Sequence, residues 1–570
     1  MSHDRFFRDD YGECRSHRNA EFTINFGTCP WDFHTIGVGG CRCFGYKSLG
    51  ISSSFRRCIP LSESKIRKPS NMANIFARKP LDKVLGEMEK GQGLKRVLGP
   101  VGLTAMGIGA IIGTGIFVLI GKAARDVAGP ALILSFVVAG LACIFSALCY
   151  AEFASMAPVA GSAYTYAYLT LGELMAWIIG WDLVLEYAVA SCTVAHGWSK
   201  YFQDILLQFK IDIPKLWTNA PFDIAKGEFY GTGSFIDLPA LAISCIVTLI
   251  LVRGIRESAV FNAIMVIIKL AVVFFVIFAG IPHINPANWT NNFAPYGYGG
   301  VGFFGHLVWG DFNQATGLPA GVMAGAALIF FAYLGFDAVS TNAEEAKNPK
   351  RDLPIGIIGS LIICTVLYIA VAAVITGMVP FAEIEKEAPV AGVFAKVGMP
   401  WARMLVSVGA LTGITSVLLV MMCGQPRIFL AMARDGLLPT KFFAAIHPTF
   451  QTPWKATLLT GFLVALGGSL LPLDILAELT NIGTLFAFVV VCAAVLVLRV
   501  KNPDAPRSFK APLGLFCPIA GIILCLLLMF SLGWENWLRL VIWLGLGLVV
   551  YFAYGIRHSR LQIQASQTRS

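Results

Sequence analysis

The chain has 570 residues, of which 56% are hydrophobic and only 14% charged, with a mean hydropathy of +0.69. A soluble fold of that length carries far more charge, so the composition excludes one and points to a membrane protein. The formal net charge of +10 fits Lys and Arg gathered in cytoplasmic loops rather than a nucleic-acid partner.

In chain order, residues 1–71 come first. They hold Cys14, Cys29, Cys41, Cys43 and Cys58 with many arginines and no spanning-length apolar run. The "CRC" at Cys41 lacks the spacing of a zinc site. This extension is expected to be disordered or to lie outside a functional chain that opens at Met72, with residues 72–100 as a basic amphipathic lead-in. Twelve apolar segments follow, beginning near Val101, Pro130, Gly172, Asp237, Ala259, Leu318, Leu353, Trp401, Pro453, Ile475, Pro512 and Trp537, each long enough for a transmembrane helix. Residues 101–281 hold five of them, 282–318 form an external loop, 319–500 hold five more, 501–556 the last two, and 557–570 a tail. The expected fold is an all-α polytopic membrane protein.

Charge placement sets the orientation. Arg253, Lys347, Lys350, Arg351, Arg434, Lys441, Lys501 and Arg557 fall on one side, whereas the stretch from Pro282 to Pro319 contains no Lys or Arg. By the positive-inside rule both termini are cytoplasmic, in a multi-pass protein of the cell's plasma membrane.

The first segment reads "GIGAIIGTGIF", with Gly107, Gly109, Gly113 and Gly115 where a spanning helix should be continuous. Close helix packing explains small-xxx-small glycines equally well. The sixth segment, "GAALIFFAYLGFDAVS", repeats the interruption at Gly335, just before Asp337. Discontinuous helices at matching positions in two halves indicate a secondary transporter built from inverted repeats, with its site at the midplane. Freed N–H groups suit a carboxylate and freed carbonyls an ammonium group, so the expected cargo is an amino acid.

Three ionisable residues stand out. Lys269 lies in "NAIMVIIKLAVVFFVIFAG", roughly 15 Å from either interface at 1.5 Å per residue, too far to snorkel. It is a candidate for proton exchange, the alternative being a structural lysine paired to an acid or to carbonyls. Glu186, one turn after Asp182, is the second proton-coupling candidate, and either acid could pair with Lys269 or line the pathway. Glu152 falls at the cytoplasmic end of the second segment, where gating or loop anchoring is expected. The sequence offers no phosphate loop, metal cluster or nucleophile arrangement. No catalytic residue, metal or cofactor is therefore assigned, the chain is read as a non-enzyme, and gradients would have to drive transport.

Four motifs, "GIGAIIGTGIF", "YAEFASMAPVAGSAYTYAY", "FFAYLGFDAVSTNAEEAKNPKRDLP" and "GQPRIFLAMARDGLLP", resemble the amino acid, polyamine and organocation superfamily, in the bacterial branch related to cationic amino acid transporters. The resemblance implies twelve helices, a five-plus-five inverted repeat of the LeuT-like fold with helices 1 and 6 discontinuous, and proton-driven uptake by alternating access. It places the unwound part of helix 1 at Ile111, Ile112, Gly113, Thr114 and Gly115, with the substrate carboxylate near Thr114 and Gly115. The ammonium group would meet carbonyls of Ile111, Phe331, Ala332 and Leu334. Lys269 would stand where sodium-coupled relatives bind sodium, making the proton the coupling ion. Two alternatives share these features: an exchanger of amino acids or polyamines without net proton movement, and a transport-inactive amino acid sensor. The expected partners are a small-molecule amino acid and the bilayer, and the oligomeric state stays open.

Overall fold

The computed structural model describes residues 75–80 and 98–567, apart from 158–160, 226–227, 255–257, 304–305, 314–318, 342, 344–345 and 505–506, together with the pairs 37–38 and 41–42. The chain divides into Met1–Met72 and Ala73–Ser570. In the first unit only Gly37–Val38, paired antiparallel with Cys41–Arg42, is described. The expected extension and most of the lead-in therefore lie outside the described residues.

Thirteen principal helices build the second unit: α1 Pro100–Ile111, α2 Leu132–Met156, α3 Ser162–Thr170, α4 Glu173–Gln208, α5 Leu238–Arg253, α6 Ser258–Gly280, α7 Val322–Ile329, α8 Pro349–Met378, α9 Pro400–Arg434, α10 Trp454–Leu470, α11 Leu473–Lys501, α12 Phe516–Ser531 and α13 Trp534–Val550. Among the described residues, eight helical stretches are long and apolar enough to cross a membrane, and α1, α5, α10 and α12 are shorter apolar helices. Their residues explain the count of long ones. A helix of 16 residues such as α5 rises about 24 Å, short of a hydrocarbon core of about 30 Å, while the 36 residues of α4 exceed it. Proline opens several of them at the first turn, including α1, α5, α8 and α9, where its missing N–H would have had no partner anyway.

The all-helical expectation holds for the apolar segments and needs correcting in the connections. Phe222–Ala225 pairs with Glu228–Gly231, Val301–Phe303 with His306–Trp309, and Asp311–Phe312 with Pro319–Ala320. These connections lie outside the apolar runs, and short hairpins let their backbone groups pair with each other. The last pairing also moves the start of the sixth segment from Leu318 to Val322.

Both glycine-bearing segments are broken. Helix α1 stops at Ile111, Ile112 is extended at φ −72° and ψ 107°, and coiling resumes at Thr114 as a π-helical turn over Gly115–Leu119. Unwinding thus covers Ile112 and Gly113, a correction for Ile111, Thr114 and Gly115, which are coiled. In the second break, α7 tightens into a 3-10 turn over Phe330–Tyr333, Leu334 is extended at ψ 139°, Gly335 takes φ +114°, and a half-helix resumes at Ala338–Thr341. The breaks touch. A Cβ on Gly115 would lie 2.2 Å from the Ala332 Cα, and one on Gly335 would lie 2.8 Å from the Ala110 carbonyl carbon.

Gly335 therefore combines a left-handed backbone with a backbone neighbour that cannot yield. Gly335→Ala is expected to cost about 2 kcal/mol or more, seen as a lower apparent Tm of the detergent-purified protein. Gly545→Ala, where a Cβ meets nothing within 4 Å, is expected to shift it by no more than about 0.5 kcal/mol.

Candidate functional site

Breaking a helix in apolar surroundings frees carbonyls that must find donors. At the first break the Lys269 ammonium, with no exposed surface, reaches across from α6. Its Nζ donates to Gly109 O at 2.6 Å, Ile112 O at 2.9 Å and Ser416 Oγ at 3.2 Å, and Ser416 Oγ in turn donates to Gly109 O. Three donors meet three acceptors. The Tyr368 hydroxyl on α8 lies 2.9 Å from both Ile111 O and Ala332 O, so one proton is shared between the two broken segments. Asn481 on α11 donates to Ala327 O at 2.9 Å and Leu328 O at 3.0 Å, where α7 ends. Tyr201 on α4 donates to Phe117 O at 2.7 Å.

At the first break one hydroxyl lacks such a partner. The Thr114 hydroxyl is buried without a hydrogen-bond partner among the described residues, while its methyl packs against Gly197 of α4. Of the expected backbone contacts, Ile112 O is taken by Lys269, Ile111 O and Ala332 O share Tyr368, and Phe331 O accepts Leu334 N at 3.2 Å. Gly113 packs against the Val417 side chain.

Of the partners left open for Lys269, carbonyls and a hydroxyl hold it rather than an acid. Glu186, facing the second break instead, lies beside Thr484 and in electrostatic reach of Asp337, whose Oδ2 accepts the Tyr187 hydroxyl at 3.1 Å. Asp182 is fully buried beside Gly483, with no donor on either oxygen among the described residues. The reason is topological. Lys269 and the acids approach the broken segments from different helices, and neither side chain crosses them. Glu152 has a separate place: buried at the end of α2, it accepts Arg499 Nε at 3.1 Å on Oε1, and Ala511 N at 2.9 Å together with Arg499 Nη2 on Oε2, and it forms an ion pair with Arg507 Nε at 3.4 Å. It ties the connection after α11 to α2.

Tyr368, Ser416, Asn481 and Tyr201 escaped sequence reasoning. An amide and a tyrosine in apolar runs, "ELTNIGTLF" and "CTVLYIAV", were the available signals, because a polar tip there needs a partner; Ser416 gave none.

A vestibule of about 1300 Å³ opens where the first broken segment ends, lined by Val118, Lys122, His196, Leu328, Asp474 and Glu478 among others. Val118 is one turn beyond Thr114 and Leu328 one turn before Ala332, so its floor adjoins both breaks. Its walls carry ion pairs, Lys122 to Asp474 at 2.6 Å and Lys386 to Asp126 at 2.7 Å.

Two mutually touching broken segments at the foot of a vestibule, inside a helical membrane protein, define a transporter rather than an enzyme. The chain belongs to the amino acid permease family, whose pattern matches residues 98–550, and with it to the superfamily its motifs resemble. It is 47% identical over 489 residues to the branched-chain amino acid permease BcaP of Bacillus subtilis (strain 168), covering 86% of this chain and 99% of that one. It is 45% identical over 490 residues to a methylthioribose transporter of the same organism, covering 86% and 100%. To a vacuolar cationic amino acid transporter 4 of Arabidopsis thaliana it is 39% identical over 436 residues, covering 76% and 68%.

Removing the shared donor isolates its contribution. Tyr368→Phe leaves two buried carbonyls short of a partner, an expected loss of about 1–3 kcal/mol, read as a lower apparent Tm. Tyr298→Phe, at an exposed position, should leave the Tm unchanged.

Proposed function

We propose that the protein takes up amino acids by proton-coupled alternating access, in a twelve-helix arrangement with a five-plus-five inverted repeat and both termini cytoplasmic. The observation that carries this reading is the grip of Lys269 on the carbonyls where α1 ends and the first break begins. Its protonated amine supplies every donor that Gly109 O and Ile112 O receive from it. Loss of a proton removes one of three N–H groups together with the charge, which weakens the hold on the segment that must rearrange. Proton transfer and helix movement thereby become linked.

The substrate site we propose lies at Ile111 to Gly115 against Phe331 to Leu334. The unpartnered Thr114 hydroxyl and the start of the resumed helix suit a carboxylate, and an arriving ammonium group would displace the Tyr368 proton from the Ile111 and Ala332 carbonyls. Val417 beside Gly113 supports an apolar side chain. Together with the similarity to a branched-chain amino acid permease, this favours neutral aliphatic amino acids. The similarity to a methylthioribose transporter favours a second reading, an uncharged thio-sugar, for which the zwitterion contacts would have no use.

Proteoliposomes with an acidic exterior test both. Labelled leucine or valine should accumulate against its gradient and a protonophore should abolish this; accumulation of labelled methylthioribose alone would overturn the amino acid reading. Lys269→Ala should lose pH-driven accumulation down to the level of empty liposomes while retaining counterflow. Accumulation that survives in Lys269→Ala would remove this residue from coupling.

A further inference from the structure

Far from the vestibule, at the other end of α4, the chain closes on itself around a second buried carboxylate. Glu173 lies in the first turn of α4, separated from His196 of the vestibule by about 35 Å of helix. It has no exposed surface, and it accepts three hydroxyls: Tyr551 Oη at 3.0 Å on Oε1, and Tyr168 Oη at 2.9 Å and Ser559 Oγ at 2.5 Å on Oε2. Its neighbourhood gathers the ends of the chain. Glu173 N donates to Ala77 O at 3.0 Å and Leu174 N to Ile75 O at 2.9 Å, while Arg560 N donates to Asp435 O at 3.0 Å just past α9. Asp435 also takes Lys79 Nζ at 3.0 Å and Tyr164 Oη at 2.7 Å.

Two of the three hydroxyls on Glu173 come from the segment that follows α13, and the third from α3. The opposite end of α3 places Ser162 Oγ 3.2 Å from Ser340 Oγ, in the half-helix beyond the second break. A contiguous line of contacts therefore runs from the C-terminal segment through Glu173 and α3 to the broken helix. Ser559 is fully buried, between the turn Tyr551–Gly555 and the short helix Arg560–Gln567. A buried carboxylate stripped of two hydroxyl donors must take water instead.

We propose that residues 551–560 are a latch: through Tyr551 and Ser559 on Glu173 they hold α3, and with it the half-helix Ala338–Thr341, in the arrangement that closes the cytoplasmic mouth. Their release is the step that opens this mouth for discharge of substrate. The latch rests on the transport reading given above.

Two measurements on the full chain test it. In the double variant Tyr551→Phe and Ser559→Ala, backbone amides of residues 162–174 should exchange hydrogen about tenfold faster than in the parent, and labelled leucine should leave preloaded proteoliposomes several-fold faster. Tyr168→Phe cuts the same line where it reaches α3, so its efflux should rise as well, whereas Tyr298→Phe, at an exposed position outside the line, should match the parent. Unchanged exchange over 162–174 in the double variant, or equal acceleration of efflux by Tyr298→Phe, would overturn the latch. If the double variant does not fold, Ser559→Ala alone carries the same comparison. The exchange measurement needs no transport, so failure of the latch is distinct from failure of the transport reading, which would show as no leucine flux in the parent.

Discussion

A carbonyl freed inside an apolar bundle costs several kcal/mol until something donates to it, and that constraint organises this structure. Two broken segments free carbonyls at Gly109, Ile111, Ile112, Ala327, Leu328 and Ala332, and the donors arrive from three different helices: Lys269 from α6, Tyr368 from α8 and Asn481 from α11. Each donor fixes the helix that bears it against a break. The surrounding bundle is thereby arranged around the interruptions, and the close passage of Gly115 over Ala332 and Gly335 over Ala110 keeps the two breaks within reach of a single tyrosine hydroxyl.

Carbonyls and donors are treated unequally at this centre. The freed carbonyls named above have protein partners, yet the Thr114 hydroxyl is buried with none among the described residues. A buried hydroxyl left in this way is costly unless a ligand or water completes it, and it stands where coiling resumes, the end of a helix that attracts negative charge. The Tyr368 proton is also divided between two acceptors, so neither carbonyl is fully satisfied. Both features leave binding capacity at the break itself, on residues whose positions are fixed by backbone rather than by flexible side chains.

The helical plan was legible because a spanning helix needs a long apolar run, and Pro or Gly edges such as Gly99–Pro100, Gly172 and Pro453 mark where runs begin. The breaks were legible for a related reason: glycine is the poorest ordinary helix former, so several in one span need explaining. Helix α3 was not, since "SAYTYAYLT" is short, and it is buried against α4 and against α11, the latter remote in sequence. The partner of Lys269 was not legible either. An intramembrane lysine announces that it needs acceptors, but whether these are acids or carbonyls depends on which helix lies opposite. Glu186 was recognisable as buried and ionisable, and only its placement beside Asp337 rather than Lys269 required coordinates. Glu152 followed a simpler rule, because a carboxylate at the end of an apolar run has cations to find, here Arg499 in the last turn of α11 and Arg507 in the connection after it.

That Lys269 is held by carbonyls rather than by a carboxylate has a consequence for the whole break. Opposite charges buried together form a pair whose separation is very costly, which would fix the segment permanently. Carbonyl dipoles are a softer counterpart. Gly109 and Ile112 lie at the C-terminal end of α1, the negative end of its dipole, while the segment resuming at Thr114 presents its positive end. The interruption thus separates two opposite half-charges over a few residues, an ammonium group facing one and an unpartnered hydroxyl facing the other. Charge on Lys269 is felt first by the Gly109 and Ile112 carbonyls that it holds, at the point where the helix gives way to the break.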